Sequence, residues 1–411
     1  MPSLQSASPL LLRKFSLLGV VAFVVVLWRH QQSAINDISS KVFLRNSHRS
    51  LNVFDPKTVR KKEQLTFLDQ SRISEAMSSF EPLIDNSIQD PWKKTLFHRL
   101  DSIRLLSCGP LCHVNDRATF NKFAIEEDTT RSTFGVRLEI PGISCDAIMK
   151  DVDIDANDST IPFPPPIELD KYYSMDGMIQ YDPSYMKLKN IYLGGKQFTS
   201  NDWTVEMVDK YIENCKDLKK SVYDGYGTPT RHLLDWMRSH VDMKEKRILV
   251  VGSEVPWVEA ISLHLGAAHV VTLEYGKINN LHPQISTTTP DEFRKLYLSG
   301  ELGLFDVVVS YSSVEHSGLG RYGDALNPWG DLLAIAKVRC VTKESGYLVL
   351  AVPVGADYQD GIQFNAHRIY GKLRYPLLTA NWLQIDAKDH LLQQGGGQPP
   401  FLFQKITIGM A

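Results

Sequence analysis

An α/β fold built on a doubly wound, mostly parallel sheet is what the C-terminal half of this 411-residue chain predicts. Short β-branched and aliphatic runs recur at 248–251 (ILVV), 270–273 and 305–310, helix-compatible segments separate them, and several stop at Gly or a polar residue. Strands alternating with helices at this spacing imply right-handed βαβ crossovers with helices on the sheet's faces.

Each element has a local reason. Residues 248–251 end at Gly252-Ser253, and Pro256 suits a first helical turn, with Val258, Ile261, Leu263 and Leu265 for burial and Gly266 as the stop. A strand at 270–273 closes on Glu274. A helix opens at Pro290 (PDEFRKLYLSG), a strand runs over 305–310 (FDVVVS), a helix over 329–341 and a strand over 347–353 (YLVLAVP). Apolar segments at 382–386 and 401–406 complete the sheet, the last as an antiparallel edge strand. Upstream, Pro229 opens a helix carrying Leu233, Leu234, Trp236 and Met237.

The N-terminal half reads differently. Residues 15–28 (FSLLGVVAFVVVLW) form an uncharged run between Arg13-Lys14 and Arg29-His30. As a helix it rises about 21 Å, short of a hydrocarbon core of about 30 Å unless flanking residues extend it. Arg29, His30, Gln31 and Gln32 stand where a cleavage site needs small residues, so an uncleaved anchor is expected, with signal cleavage and secretion as the alternative. The predicted organisation is an anchor at 1–30, a partly helical stem at 31–107, an accessory α+β region at 108–228 and the sheet domain at 229–411. An anchored body in the Golgi or endoplasmic reticulum lumen would be oxidised, and Cys108 and Cys112 (CGPLC) could then bridge across a Gly-Pro turn. Five cysteines leave at least one thiol without an intrachain partner, and Asn157-Asp158-Ser159 spells a glycosylation acceptor.

Composition bounds the function. Hydrophobic residues at 43% and charged residues at 22% exclude a wholly disordered chain. With 45 Lys and Arg against 47 Asp and Glu, no global field would hold a polyphosphate backbone, so nucleic acid is not an expected partner.

In such a sheet, ligands bind beyond the carboxyl ends of the strands. That selects the loop Gly252-Ser253-Glu254-Val255-Pro256, and Glu274, where a carboxylate takes both hydroxyls of a ribose. The loop lacks G-x-G-x-x-G, which argues against a dinucleotide and for a nucleoside without phosphates.

The segments VVGSEVPWVEA, VTLEY and FDVVVSYSSVEHSGLGRYGD together resemble class I S-adenosylmethionine-dependent methyltransferases in a divergent form. With FNAHRIYG, they more closely resemble a nematode family of unknown function, DUF268, from about Cys108 to the C-terminus and most specifically over 247–385. The methyltransferase likeness implies a Rossmann-like sheet, with S-adenosylmethionine as cofactor held by Gly252, Ser253, Glu254, Glu274, Tyr275 and Ser312. Residues 312–316 would line the methyl-transfer mouth. The family's further loop glycines are replaced here by Glu254, Pro256 and Trp257.

Glu315, His316 and His367 are the candidate catalytic groups, since a carboxylate beside an imidazole could deprotonate a hydroxyl acceptor, a glycan or small molecule. A helix cap with a solvated His316, and a structural bridge by Arg368, are the competing readings. Tyr322 and Asp324 could close over substrate or shape a turn, and Trp203, Trp257 and Trp329 could stack on a sugar or fill the core. Two rival functions remain: a scaffold without cofactor, and a glycosyltransferase using a D-x-D motif at 151–153 or 153–155. No metal site is expected.

Overall fold

The computed structural model describes residues 82–83, 88–113, 117–127, 133–158, 162, 164–183, 202–387 and 397–407. The expected anchor and most of the expected stem lie outside them. Among the described residues no helix is long and apolar enough to cross a membrane.

The helix Pro91–Ile103 starts at Asp90, whose carboxylate accepts the Trp92 N–H at 2.9 Å, and buries Leu96, Phe97, Leu100 and Ile103. Arg99 donates to the Leu326 carbonyl, more than 220 positions away in the chain. Residues ahead of 108 therefore pack against the folded body. β1 (Ala124–Glu126) and β2 (Val136–Leu138) pair antiparallel, and β3 (Gln180–Asp182) follows. The accessory region is not separate: Trp203, Val208, Cys215 and Val222 share one buried cluster with Ile248 and Val250 of the sheet. The helix Val205–Lys216 packs on Trp257–His264 as a covering layer.

The central strands are β4 (Arg247–Val251), β5 (His269–Leu273), β6 (Ile285–Thr288), β7 (Phe305–Tyr311) and β8 (Thr342–Ala351). β9 (Gly361–Gln363) and β10 (His367–Ile369) form a hairpin that joins β3 in a small second sheet, and β11 (Trp382–Ala387) and β12 (Pro400–Lys405) complete the main one. The main sheet has seven strands in the order β11-β12-β8-β7-β4-β5-β6. β6 through β8 run parallel across β5, β4 and β7, while β12 is antiparallel to both β8 and β11. This is the predicted α/β class, with two corrections: β12 is inserted inside the sheet rather than at its edge, and β6 was not predicted. The helix Pro290–Ser299 carries a reciprocal Thr289–Glu292 capping box and ends at left-handed Gly300.

Five cysteines resolve into two bridges and one buried thiol: Cys108–Cys112, a pairing the sequence left open, Cys145–Cys340 across 195 positions, and free Cys215. The longer bridge ties the helix Cys145–Lys150 to Gly330–Val341.

The segment between β8 and β11 is held down by charge. Asp331, fully buried, accepts Arg374 Nε and Nη2 at 2.9 and 2.6 Å and the Tyr370 hydroxyl at 3.0 Å, and lies 3.5 Å from Arg368 Nε. The two guanidiniums beside it keep its carboxyl below the usual carboxylate range despite burial. Asp331→Ala would leave two buried cations without their carboxylate, and is expected to cost about 3–5 kcal/mol of unfolding free energy. Urea denaturation followed by circular dichroism measures it.

Candidate functional site

β4 and β7 mark the point where the sheet's winding reverses, and their carboxyl ends meet in contact. Gly252 sits at φ +75°, and a Cβ there would fall 1.8 Å from Ser313 Oγ. Glycine is required by positive φ and by the approach of the β7 loop. The next residue, Ser253, donates its N–H to Glu274 Oε2 at 2.8 Å, and Tyr275 N–H reaches Glu274 Oε1 at 2.7 Å. Burial raises the Glu274 carboxyl, and those backbone donors oppose the shift.

This geometry disfavours a phosphate cradle, because the Ser253 N–H is already committed and the Trp257 N–H turns back to the Val255 carbonyl. It leaves room for a ligand hydroxyl, because Glu274 Oε2 accepts one N–H and keeps a further lone pair, while Oε1 accepts Tyr275 N–H and, at 3.5 Å, Gly276 N–H. Burial raises Glu274, Tyr223 and Tyr226, and the Glu254 charge adds to each shift. Of Tyr275, only the backbone serves this cluster; the charges of Asp155 and Asp324 act on its buried phenol.

Sequence reasoning missed the residue that holds the first loop. Glu259, fully buried, accepts Ser253 Oγ at 3.0 Å and Thr272 Oγ1 at 2.7 Å, stapling the loop to β5. Its only signal was an acid inside an otherwise apolar helix, WVEAISLH.

On the β7 side, Ser312 has φ +51°, and its hydroxyl accepts Gln398 Nε2 at 3.0 Å and bonds with Tyr226. Glu315 is fully buried, its Oε1 lies 3.4 Å from Gln398 Nε2 and 3.6 Å from His316 Nε2, and its Oε2 has no hydrogen-bond partner among the described residues. Burial pushes the Glu315 carboxyl up to about 7. His316 sets Nδ1 against the Ala366 carbonyl, and burial, Arg321 and His367 hold it well below the usual imidazole value. His367 arrives on the β9–β10 hairpin with its ring 6.3 Å from His316, and burial followed by the Arg321 charge lowers it to about 4. The three candidate catalytic groups therefore meet in space, although 51 positions separate His316 from His367.

Other candidates resolve as framework. Asp324 accepts the N–H groups of Gly318, Gly320 and Tyr322 at 2.6, 3.2 and 3.1 Å, so it shapes a turn and does not close over a ligand. Arg368 is the structural bridge, spanning the carbonyls of Glu315, Ser317, Asn327 and Pro328. Trp203, Trp257 and Trp329 are buried, and the Trp203 indole donates to the Glu254 carbonyl, so the sugar-stacking reading falls. Of the D-x-D acids, Asp155 pairs with Lys337, and Asp151 accepts the Ser107 hydroxyl and the Asp153 N–H.

Residues 245–390 match the model of a family described as Caenorhabditis protein of unknown function, DUF268. No curated protein matches the chain. Similar solved structures include a candidate S-adenosylmethionine-dependent methyltransferase from Listeria monocytogenes, 12% identical, with 43% of this chain and 97% of that one covered and a TM-score of 0.28. Another is a candidate sarcosine dimethylglycine methyltransferase from Galdieria sulphuraria, 12% identical, covering 43% and 86% with a TM-score of 0.28. A third is an S-adenosylmethionine-dependent methyltransferase from Mesorhizobium loti, 14% identical, covering 44% and 75% with a TM-score of 0.22. The α/β assignment rests on the strand order itself.

Glu259 yields a test of the loop staple. Burial raises its carboxyl to about 7 from an ordinary 4.5, so the unfolded chain ionises first and stability falls as pH rises from 4.5 to about 7. Glu259→Gln, which keeps the shape, should remove a pH-dependent penalty of about 3 kcal/mol. Denaturation curves of both proteins at pH 4.5 and pH 8 read it: the variant gains relative stability only at the higher pH.

Proposed function

We propose that this chain is a methyltransferase that binds S-adenosylmethionine and methylates an acceptor hydroxyl. The observation that carries this reading is the placement of two carboxyls that burial raises, half-buried Glu274 after β5 and fully buried Glu315 after β7, on either side of β4 and the Gly252–Ser313 contact at its end. S-adenosylmethionine, when bound, supplies an electrophilic methyl group and a neutral thioether leaving group. Glu274 takes the two ribose hydroxyls, and the Gly252–Glu254 backbone borders the cofactor's amino-acid portion.

Glu315 receives the acceptor's proton. A carboxyl at about 7 is partly ionised near neutral pH, which matches a general base to its working conditions. His316 carries its proton on Nδ1, as its contact with the Ala366 carbonyl assigns, so neutral Nε2 faces Glu315. His316 and His367 therefore orient Glu315 and the acceptor, and neither is the base.

Two intrachain disulfides support an oxidising compartment, and with the apolar segment at 15–28 they favour a membrane-anchored lumenal body in the Golgi or endoplasmic reticulum, where a glycan hydroxyl is available as acceptor. One observation favours the scaffold reading instead: the Ser313 side chain already fills the space over Gly252.

Calorimetry separates the two. Saturable S-adenosylhomocysteine binding, weakened about tenfold to hundredfold by Glu274→Ala, supports the methyltransferase. No heat from the folded protein at millimolar ligand leaves the scaffold. Once an acceptor is in hand, kcat/KM should rise about tenfold per pH unit and level off above about 7, and Glu315→Gln should lower kcat by about 10²–10⁴ and flatten that profile.

A further inference from the structure

The sequence spells a single Asn-x-Ser/Thr acceptor, Asn157-Asp158-Ser159, and its asparagine is among the described residues. The segment around it is tied down by side chains. Cys145 is bridged to Cys340, Asp155 pairs with Lys337, and Asp158 accepts the Trp92 indole N–H at 2.8 Å. The backbone is tied as well. Asp158 donates its N–H to the Gly323 carbonyl at 2.9 Å and Ala325 donates to the Ala156 carbonyl at 2.8 Å, so Asn157 forms an antiparallel bridge with Asp324.

Between these ties the Asn157 side chain is exposed, and its amide makes no hydrogen bond among the described residues. A structural asparagine ordinarily spends its side chain on a nearby backbone group. Here the described fold makes no use of it, so a group attached to Nδ2 would break no bond that holds the segment. The two disulfides are an independent sign. Cys108–Cys112 and Cys145–Cys340 require an oxidising compartment, and asparagine acceptors are modified in secreted and lumenal chains.

We propose that Asn157 is a modification site and carries an N-linked oligosaccharide. The donor class is a lipid-linked oligosaccharide diphosphate. Asn157 Nδ2 forms a bond to C1 of the donor's first sugar while the bond from C1 to the phosphate oxygen breaks. The lipid diphosphate leaves with that electron pair, and one amide proton passes to a base of the transferring enzyme. Ser159 supplies the hydroxyl residue that the enzyme reads two positions on. The glycan then stands beside Asp324, whose carboxylate orders the turn from Gly318 to Tyr322 after β7. The assignment rests on the lumenal reading above and not on methyl transfer.

The test expresses the full chain in animal cells with a C-terminal reporter domain that carries its own Asn-x-Thr acceptor. Peptide N-glycosidase should release two glycans, one from the reporter and one from this chain, each read as a step in electrophoretic mobility. Asn157→Gln and Ser159→Ala should each abolish the second step, and Ser159→Thr should keep it, because a hydroxyl residue is what the enzyme reads. Peptide mass spectrometry reads position 157 directly, since the hydrolysis turns a glycosylated Asn157 amide into a carboxylate and leaves a bare one unchanged. A glycosylated reporter on a chain whose Asn157 is bare, or a second step that survives both substitutions, would overturn the proposal while the lumenal reading stands. If neither acceptor is glycosylated, the lumenal reading fails and the assignment fails with it.

Discussion

Asp331 is the interaction on which the rest of the site depends. It sits fully buried between Arg368 and Arg374, and those guanidiniums in turn hold the carbonyls of Glu315, Ser317, Asn327 and Pro328. One carboxylate thus fixes the course of the chain after β7 and docks the β9–β10 hairpin against it. A buried charge group of this kind adds little net stability over apolar packing, but it admits few alternative arrangements. The catalytic candidates ride on the two segments it joins.

At the neighbouring strand end, one glycine and one buried acid shape the loop. Gly252 provides the single positive φ that the approach to Ser313 demands, and Glu259 then pins Ser253 to β5. The loop is held by hydrogen bonds that Ser253 and Thr272 donate to a buried acid. Glu259 and Glu315 are both buried with carboxyls raised to about 7, and Glu274 is raised as well. Concentrating such groups at one end of the sheet costs stability near neutral pH, which is the usual trade where chemistry needs a proton to move. The backbone carries strain there too: Ser312 and Asn365 have φ +51° and +56° without being glycine.

The calls that succeeded were local ones. The buried strands announced themselves by β-branched runs, and the helix at Pro290 by its helix-compatible sequence from that proline onward. β6 was missed because ISTT is half polar, as an edge strand can be, and imitates a loop. The position of β12 was missed because pairing order is not written in a strand's own residues. Glu259 was not singled out, because one acid in a largely apolar helix carries no mark of the two hydroxyls it meets.

Sequence alone determined the fold class and which residues stand at the strand ends, because propensity, burial pattern and turn chemistry act over a few residues. Tertiary structure decided which of those groups meet. His367 reaches His316 only because a hairpin folds back; Cys145 finds Cys340 across 195 positions; Asp324 and Arg368 are framework because backbone groups surround them. The proton affinity of Glu315 was settled there as well, since removal from water is a property of the packed whole and not of the residues beside it in the chain.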